Sequence, residues 1–207
     1  SQSGLTLAEG IKAIGGNPDN LQSCLRNKGD FHAWLELHIE QGGILEKENI
    51  QIGVVEGIVG IVHWEVTVEG FANHAGATPM NMRQDALLAA SKFIIAVNEV
   101  INSVKGTQVG TVGKIAVQPG AYNVIPGKVI LGLEIRDLSA AKIEMLFNEI
   151  EKRAVTIAKE SKTSIRFSRQ PNESKPALTD KKLQQVIDAT AKSLGFTTQF
   201  MQSGAGH

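Results

Sequence analysis

The chain has one cysteine, Cys24, among 207 residues, so no disulfide can form within it. That usage fits a reducing, cytoplasmic compartment. It has no charge imbalance either, with 21 Lys and Arg against 21 Asp and Glu. A zero balance argues against a nucleic-acid or anionic-membrane partner. No uninterrupted apolar run approaches the roughly 18 residues of a spanning helix, and no signal-peptide pattern opens the chain. Cys-x-x-Cys and His-Glu-x-x-His pairs are both missing, so spacing alone builds no closed zinc site. Internal repeats and low-complexity tracts are missing too. There is no initiator methionine, and His207 follows Gly204-Ala205-Gly206 with no closing element, which reads as a piece of a longer chain. What is present is a hydrophobic fraction of 42%, enough for a packed core.

Residues 5–14 read as a short helix stopped by Gly15-Gly16, and 17–30 as turn-rich. In 31–41, Leu35, Leu37 and Ile39 alternate with Trp34, Glu36, His38 and Glu40. Period-2 alternation predicts a strand, with His38 on the face of Glu36 and Glu40; helix competes, because Leu and Glu both favour it. A short amphipathic piece (44–50) and a glycine-punctuated apolar run (52–61) follow. The pattern then becomes regular: strand 62–71, helix 83–104, strand 109–117, turn 123–127, strand 129–136, helix 139–161 with Ser139 as N-cap, strand 163–169. This β-α-β-β-α-β order predicts a ferredoxin-like unit, a four-stranded antiparallel sheet with two helices on one face. After a polar linker come helix 180–194, ended by Gly195, strand 196–201 and loop 203–207. The expected class is α/β with an α+β lid. Residues 61–171 form the ferredoxin-like domain, inserted in a second domain made by 1–60 and 172–207.

Five residues are candidates for chemistry. His74 lies in Asn73-His74-Ala75-Gly76-Ala77, a strand-to-helix connection whose small residues let a ligand approach the ring; a surface histidine in a turn is the competing reading. His38, flanked by carboxylates, suits a metal ligand whose tautomer a carboxylate fixes, or a salt-bridged surface histidine. His207 ends a glycine-rich loop that could carry a ligand or fray. Arg136, in Glu134-Ile135-Arg136-Asp137 at a strand end, could clamp a carboxylate, or merely pair with Glu134 or Asp137. Asn123, beside Pro126-Gly127, is a binding or turn residue. Cys24 has no base nearby in sequence, and His32 and His63 read as structural or exposed.

Five motifs occur in register along nearly the whole chain. They are Glu36-Leu37-His38-Ile39-Glu40-Gln41-Gly42, Asn73-His74-Ala75-Gly76-Ala77-Thr78-Pro79-Met80, Asn123-Val124-Ile125-Pro126-Gly127, Glu134-Ile135-Arg136-Asp137 and Ser203-Gly204-Ala205-Gly206-His207. Through them the chain resembles the hydantoinase/carbamoylase branch of the M20 metallopeptidase-like amidohydrolases, which includes allantoate amidohydrolase, N-carbamoyl-L-amino acid hydrolase and β-ureidopropionase. The resemblance implies a ferredoxin-like dimerisation (lid) domain inserted in a zinc-peptidase-like catalytic domain, and a homodimer. It implies metal ligation by His38 and His207, two divalent ions (Zn²⁺, with Mn²⁺ as alternative), and hydrolysis of the ureido C–N bond of an N-carbamoyl acid. His74, Asn123 and Arg136 would cluster at one end of the lid and serve the partner's active site, His74 stabilising the oxyanion. An exopeptidase or aminoacylase of the same superfamily, or a non-catalytic dimerisation module, are the alternatives.

The sequence departs from the family pattern in two ways. The metal-binding His, bridging Asp and Glu pair of the family's first half have no counterpart here, and Gln202 stands where proline is usual. The chain is therefore expected to be inactive alone. Two histidines supply two of about four zinc ligands. Calorimetry on this chain is expected to show weak zinc binding or none; submicromolar zinc at one per chain, lost in His38→Ala, would contradict the expectation.

Overall fold

The computed structural model describes residues 4–205. Two compact units divide it, one up to Ile39 and one from Glu40 onward. The first holds helix α1 (Leu7–Ala13) and a 3-10 segment, Pro18–Cys24. A capping box starts α1: Thr6 accepts from the Glu9 amide and the Glu9 carboxylate accepts from the Thr6 amide. No described residue of this unit is buried. The strand predicted over 31–41 is not formed. The backbone there pairs into no sheet, and Trp34, Leu35, Leu37 and Ile39 are all exposed. Alternation supplies a strand with two faces, but an isolated strand has no ladder for its backbone groups.

The second unit runs α2 (Ile44–Glu48), β1 (Ile52–Ile58), β2 (Gly60–Glu69), β3 (Asn73–His74), α3 (Ala86–Ser103), β4 (Val109–Gln118), β5 (Val124–Ile125), β6 (Lys128–Asp137), α4 (Ala140–Ser161), β7 (Ser164–Arg169), β8 (Ala177–Leu178), α5 (Lys181–Ser193) and β9 (Thr198–Ser203). Its main sheet has the order β4-β6-β2-β7, antiparallel throughout. With α3 and α4 connecting the strands, this is the ferredoxin-like arrangement expected from the β-α-β-β-α-β order. Along β2, Val62, Trp64, Val66 and Val68 are buried; along β6, Val129, Leu131, Leu133 and Ile135. Both helices cover that face. The intervening residues, Ile61, His63, Glu65 and Thr67 on β2 and Ile130, Gly132, Glu134 and Arg136 on β6, occupy the open face, as the two-residue period of a strand requires.

Both helices on this sheet have a side-chain cap. Asp85 accepts from the amides of Leu87 and Leu88 and caps α3, whose first helical residue, Ala86, is three later than the pattern suggested. Ser139, as expected, accepts from the Lys142 amide and starts α4, whose buried stripe is Ile143, Leu146, Ile150, Ala154 and Ile157. On α3 the buried face is small-residue rich, with Ala86, Ala89, Ala90, Phe93, Ala96 and Val97, so Leu87 and Ile94 are only partly covered. Its composition is apolar enough to cross a membrane, yet this buried face makes it a core helix. Trp64 stacks on Phe147 of α4 with ring centroids 4.3 Å apart, and Phe147 meets Phe167 of β7 edge-on at 5.2 Å.

A second sheet has the order β8-β1-β9, with β1 antiparallel to β8 and parallel to β9, and α5 packs against β1 and β9. Only Val59, itself buried, separates β1 from β2, so one stretch of chain passes directly from one sheet into the other. A third, two-stranded sheet pairs β3 with β5.

Leu133 is 1% exposed at the middle of β6. Leu133→Ala is expected to cost about 2–5 kcal/mol of stability, read by urea unfolding, because the helices above it cannot collapse into the void.

Candidate functional site

His74 is the second residue of β3, just past the end of β2. Its partner strand β5 follows Asn123, and the pairing sets His74 against Val124. Of residues 123–127, expected as a turn, Asn123 lies in one, while Val124–Ile125 form the short strand that brings it to the His74 loop. The Ala75 amide donates to the Asn123 carbonyl at 2.9 Å. Both His74 and Asn123 are exposed. The loop is held from behind by Arg83, whose Nη2 donates to the Ala75 carbonyl at 2.6 Å and Nε to the Thr78 carbonyl at 3.1 Å. Thr78 Oγ1 donates to the His74 carbonyl at 2.8 Å.

The His74 ring is oriented by its own loop. The amides of Gly76 and Ala77 both donate to Nδ1, each at 3.1 Å. A nitrogen that accepts two N–H groups carries no proton, so the neutral ring is the Nε2–H tautomer and presents a donor outward. Gly76 allows this closeness: a Cβ there would stand 3.2 Å from His74 Cε1.

Arg136 lies elsewhere. Lys128, at the start of β6, pairs with Glu69 and Gln118 next to the His74 loop, whereas Arg136 pairs with Ile61 and Val109 at the opposite end of the sheet. Eight residues of antiparallel strand at about 3.4 Å each separate the two ends, roughly 27 Å. The expected cluster of His74, Asn123 and Arg136 therefore does not form within one chain. His74 and Asn123 come together; Arg136 does not join them, because β6 is one straight ladder from end to end.

At its own end, Arg136 donates through Nε to Glu134 Oε1 at 2.6 Å and through Nη1 to the Gly204 carbonyl at 2.7 Å. Glu134 Oε2 is 2.7 Å from His63 Nε2. Burial pushes the Glu134 carboxyl up, but hydrogen bonds from Arg136 and His63 and the attraction of their charges outweigh it and hold it below the ordinary carboxylate range. Gln202 stitches the same region together. Its Nε2 donates to the Thr107 carbonyl at 2.7 Å and its Oε1 accepts from Thr107 Oγ1 at 2.8 Å. The usual proline could do neither. The end of β9 and Gly204 after it are thus tied to the Arg136 end of the sheet. Gly206 and His207 lie outside the described residues.

His38, in the first unit, is exposed, and its Nδ1 sits 2.6 Å from the Ile39 carbonyl. That contact puts the proton on Nδ1 and the lone pair on Nε2, an orientation suited to ligation. Of the two carboxylates expected on its face, Glu36 and Glu40, the second caps a helix. Glu40 accepts from the amides of Ile44 and Leu45 at 2.7 and 3.1 Å, satisfying donors that the first turn of α2 leaves open. Among the described residues no three His, Cys, Asp or Glu side chains gather to hold a metal. A groove of about 390 Å³ crosses the open face between His63, Thr111, Lys114 and Asn172, but neither His74 nor Arg136 lines it.

The peptidase dimerisation domain model matches residues 56–162, just over half of the chain. The chain belongs to the M20 peptidase dimerisation-domain family. Over 204 residues it is 41% identical to N-carbamoyl-L-amino acid amidohydrolase of Geobacillus stearothermophilus, covering 99% of this chain and 49% of that protein. It is 40% identical over 190 residues to ureidoglycolate hydrolase of Arabidopsis thaliana, covering 91% and 40%. The crystal structure of an amidohydrolase/peptidase from Burkholderia cenocepacia superposes with a TM-score of 0.85 at 31% identity, over 99% of this chain and 49% of that one. The chain thus spans about half the length of the relatives it matches.

Within this M20 dimerisation domain, two side chains escaped sequence reasoning. Arg83 reads as an ordinary residue before a helix, and its clasp on two carbonyls has no local signature. His63 reads only as structural or exposed, and it faces Glu134 because β2 and β6 pair in that register; the pairing of Glu134 with Arg136, by contrast, is one of the two readings of Arg136. The amides around Nδ1 provide a direct test of the His74 site. In ¹⁵N spectra at about pH 8, His74 is expected as the Nε2–H tautomer; an Nδ1–H ring would contradict the loop geometry.

Proposed function

We propose that the protein carrying this chain hydrolyses the ureido C–N bond of N-carbamoyl acids, as a homodimer joined through its M20 dimerisation domain. The observation that supports this most directly is the donor set. His74 Nε2–H, the Asn123 amide and the Arg136 guanidinium are hydrogen-bond donors. They suit the two acceptors of such a substrate, an oxyanion developing at the ureido carbon and a carboxylate. The names of the relatives point the same way, toward N-carbamoyl-L-amino acids and ureidoglycolate. Allantoate belongs to the same chemical class.

His74 and Asn123 would meet the ureido oxygen as charge builds on it, and a donor already oriented needs no reorganisation at that moment. Arg136 would grip the carboxylate in ground and transition states alike. A divalent ion, Zn²⁺ or Mn²⁺, when bound, polarises the ureido carbonyl and activates a water. His38 through Nε2, and His207, are the residues of this chain that would hold it, as part of a larger ligand set. Attack by water on the ureido carbon and departure of the amine leave carbamate, which breaks down to carbon dioxide and ammonia.

The two ends of the sheet bear on how one site is assembled. A substrate of this class is far shorter than the roughly 27 Å of strand between His74 and Arg136. One chain cannot bring both to it. We assign Arg136 to the site of its own chain, where it is bonded to the Gly204 carbonyl, and His74 with Asn123 to the site of the second copy. The outer edge of β4 suits the twofold contact: ten residues with no strand beyond them among the described residues, next to the half-exposed Ile115 and Ile95.

Complementation between inactive variants of the full-length protein tests this. Mixing Arg136→Ala with His74→Ala subunits is expected to restore activity, because one of the two sites in the heterodimer keeps its own Arg136 and receives an intact His74. If both residues served the same partner site, neither site would be whole and mixing would restore nothing. Mixing His74→Ala with His38→Ala is expected to recover activity as well. Failure of both pairs, with heterodimers present, would rule out a shared site.

A further inference from the structure

We propose that Glu134 and His63 are positioning residues for Arg136: together they hold its guanidinium in the one orientation from which it can take a substrate carboxylate. This rests on the reading of Arg136 given above and adds two residues that neither touch substrate nor belong to the resemblance motifs as site residues.

The three side chains form a row on the open face of the sheet. Glu134 and Arg136 are two apart on β6 and so project to the same side. His63 on β2 is the direct register partner of Glu134. Each carboxylate oxygen of Glu134 has one nitrogen: Oε1 takes Arg136 Nε at 2.6 Å and Oε2 takes His63 Nε2 at 2.7 Å. With both oxygens engaged, the carboxylate cannot rotate about its last bond without breaking one of them. The guanidinium is rigid and planar, so fixing Nε fixes the plane of the whole fork. The Gly204 carbonyl adds a second point at Nη1. Nη2 donates to nothing among the described residues.

Three features set this row apart from an ordinary surface pair. Glu134 and Arg136 side chains are only 25% and 28% exposed, where solvent screening and side-chain freedom are reduced. The acid stays ionised because its partners outweigh its burial. And His63 Nδ1 is buried with no hydrogen-bond partner among the described residues. A buried ring nitrogen without a partner is unfavourable. His63 thus holds Glu134 through Nε2 while its other ring nitrogen goes unpaired, which makes the Glu134 contact the one polar contact of this side chain among the described residues. A guanidinium freed from this row keeps its charge but must be reordered each time it meets a carboxylate. The loss should therefore fall on binding.

The test compares an N-carbamoyl amino acid with its carboxamide, which lacks the carboxylate, in the full-length protein. Arg136→Ala is expected to abolish the preference for the acid. Glu134→Gln and His63→Phe are each expected to raise KM for the acid roughly tenfold or more while kcat stays within about threefold and KM for the carboxamide is unmoved. His63→Gln, which keeps a donor, is expected to stay near wild type. In an Arg136→Ala background, Glu134→Gln is expected to add nothing, since it acts only through the arginine. If Arg136→Ala keeps the preference for the acid, Arg136 is not the carboxylate clamp, and the positioning role falls with it. If Arg136→Ala abolishes the preference but Glu134→Gln and His63→Phe leave KM within about twofold, the clamp stands and the positioning role is overturned. Should Glu134→Gln fail to fold, the Arg136 Nε–H resonance decides between the two. It is expected to be slow to exchange in the wild type and fast in His63→Phe, and equal protection in both would overturn the proposal.

Discussion

The pairing of β2 with β6 is the interaction on which most of this structure depends. The two strands pair without interruption from Gly60↔Asp137 to Glu69↔Lys128. Because the ladder has no bulge, every alternate residue along both strands falls on the same side. That single fact gathers Val62 to Val68 and Val129 to Ile135 under α3 and α4, and leaves a polar row on the other side. The neighbouring β4–β6 pairing, by contrast, has a bulge between Val112 and Lys114, which a peripheral strand tolerates more easily than a central one.

The same ladder works as a ruler. It is rigid and of fixed length, so it separates His74 and Asn123 at one end from Arg136 at the other. Each end is then finished differently. At the first, a loop of small residues folds its amides onto His74 Nδ1 and turns a donor outward, with Arg83 bracing the turn from within. At the second, Glu134 and His63 fix the guanidinium, and Gln202 and Gly204 bring the end of β9 alongside. In the homodimer proposed above this separation would be an advantage. A twofold axis would set the His74 end of one copy against the Arg136 end of the other, so that a complete donor set would exist only in the assembled protein.

The core was legible from periodicity because burial on one face is a property that repeats along the chain. The stripe of α4 and the alternation of β2 and β6 are both plain in the sequence, as are Ser139 and Gly195 as a helix start and a helix stop. The reading of 31–41 failed for a complementary reason. Leu35, Leu37 and Ile39 alternate as cleanly as any strand here, but pairing needs a neighbour, and periodicity says nothing about whether one is available. The sequence likewise marked His38, His74, Asn123 and Arg136 as chemically suggestive without saying which of them meet.

What the sequence determined by itself was the order of the elements, the face each one buries and the types of side chain at the loop tips, since all of these follow from local spacing and from the conformational preferences of single residues. Tertiary structure alone decided three further things. Strand register set His63 against Glu134 across the sheet and put Arg136 far from His74. Loop closure placed two amides on His74 Nδ1 and so selected its tautomer. The docking of β9 brought Gly204 to Arg136 across 68 residues of chain. The first and third depend on where a distant segment comes to rest, and a distance through space leaves no trace in the spacing of residues along a chain; the second joins residues two and three apart, but only in a loop conformation held by β5 and Arg83.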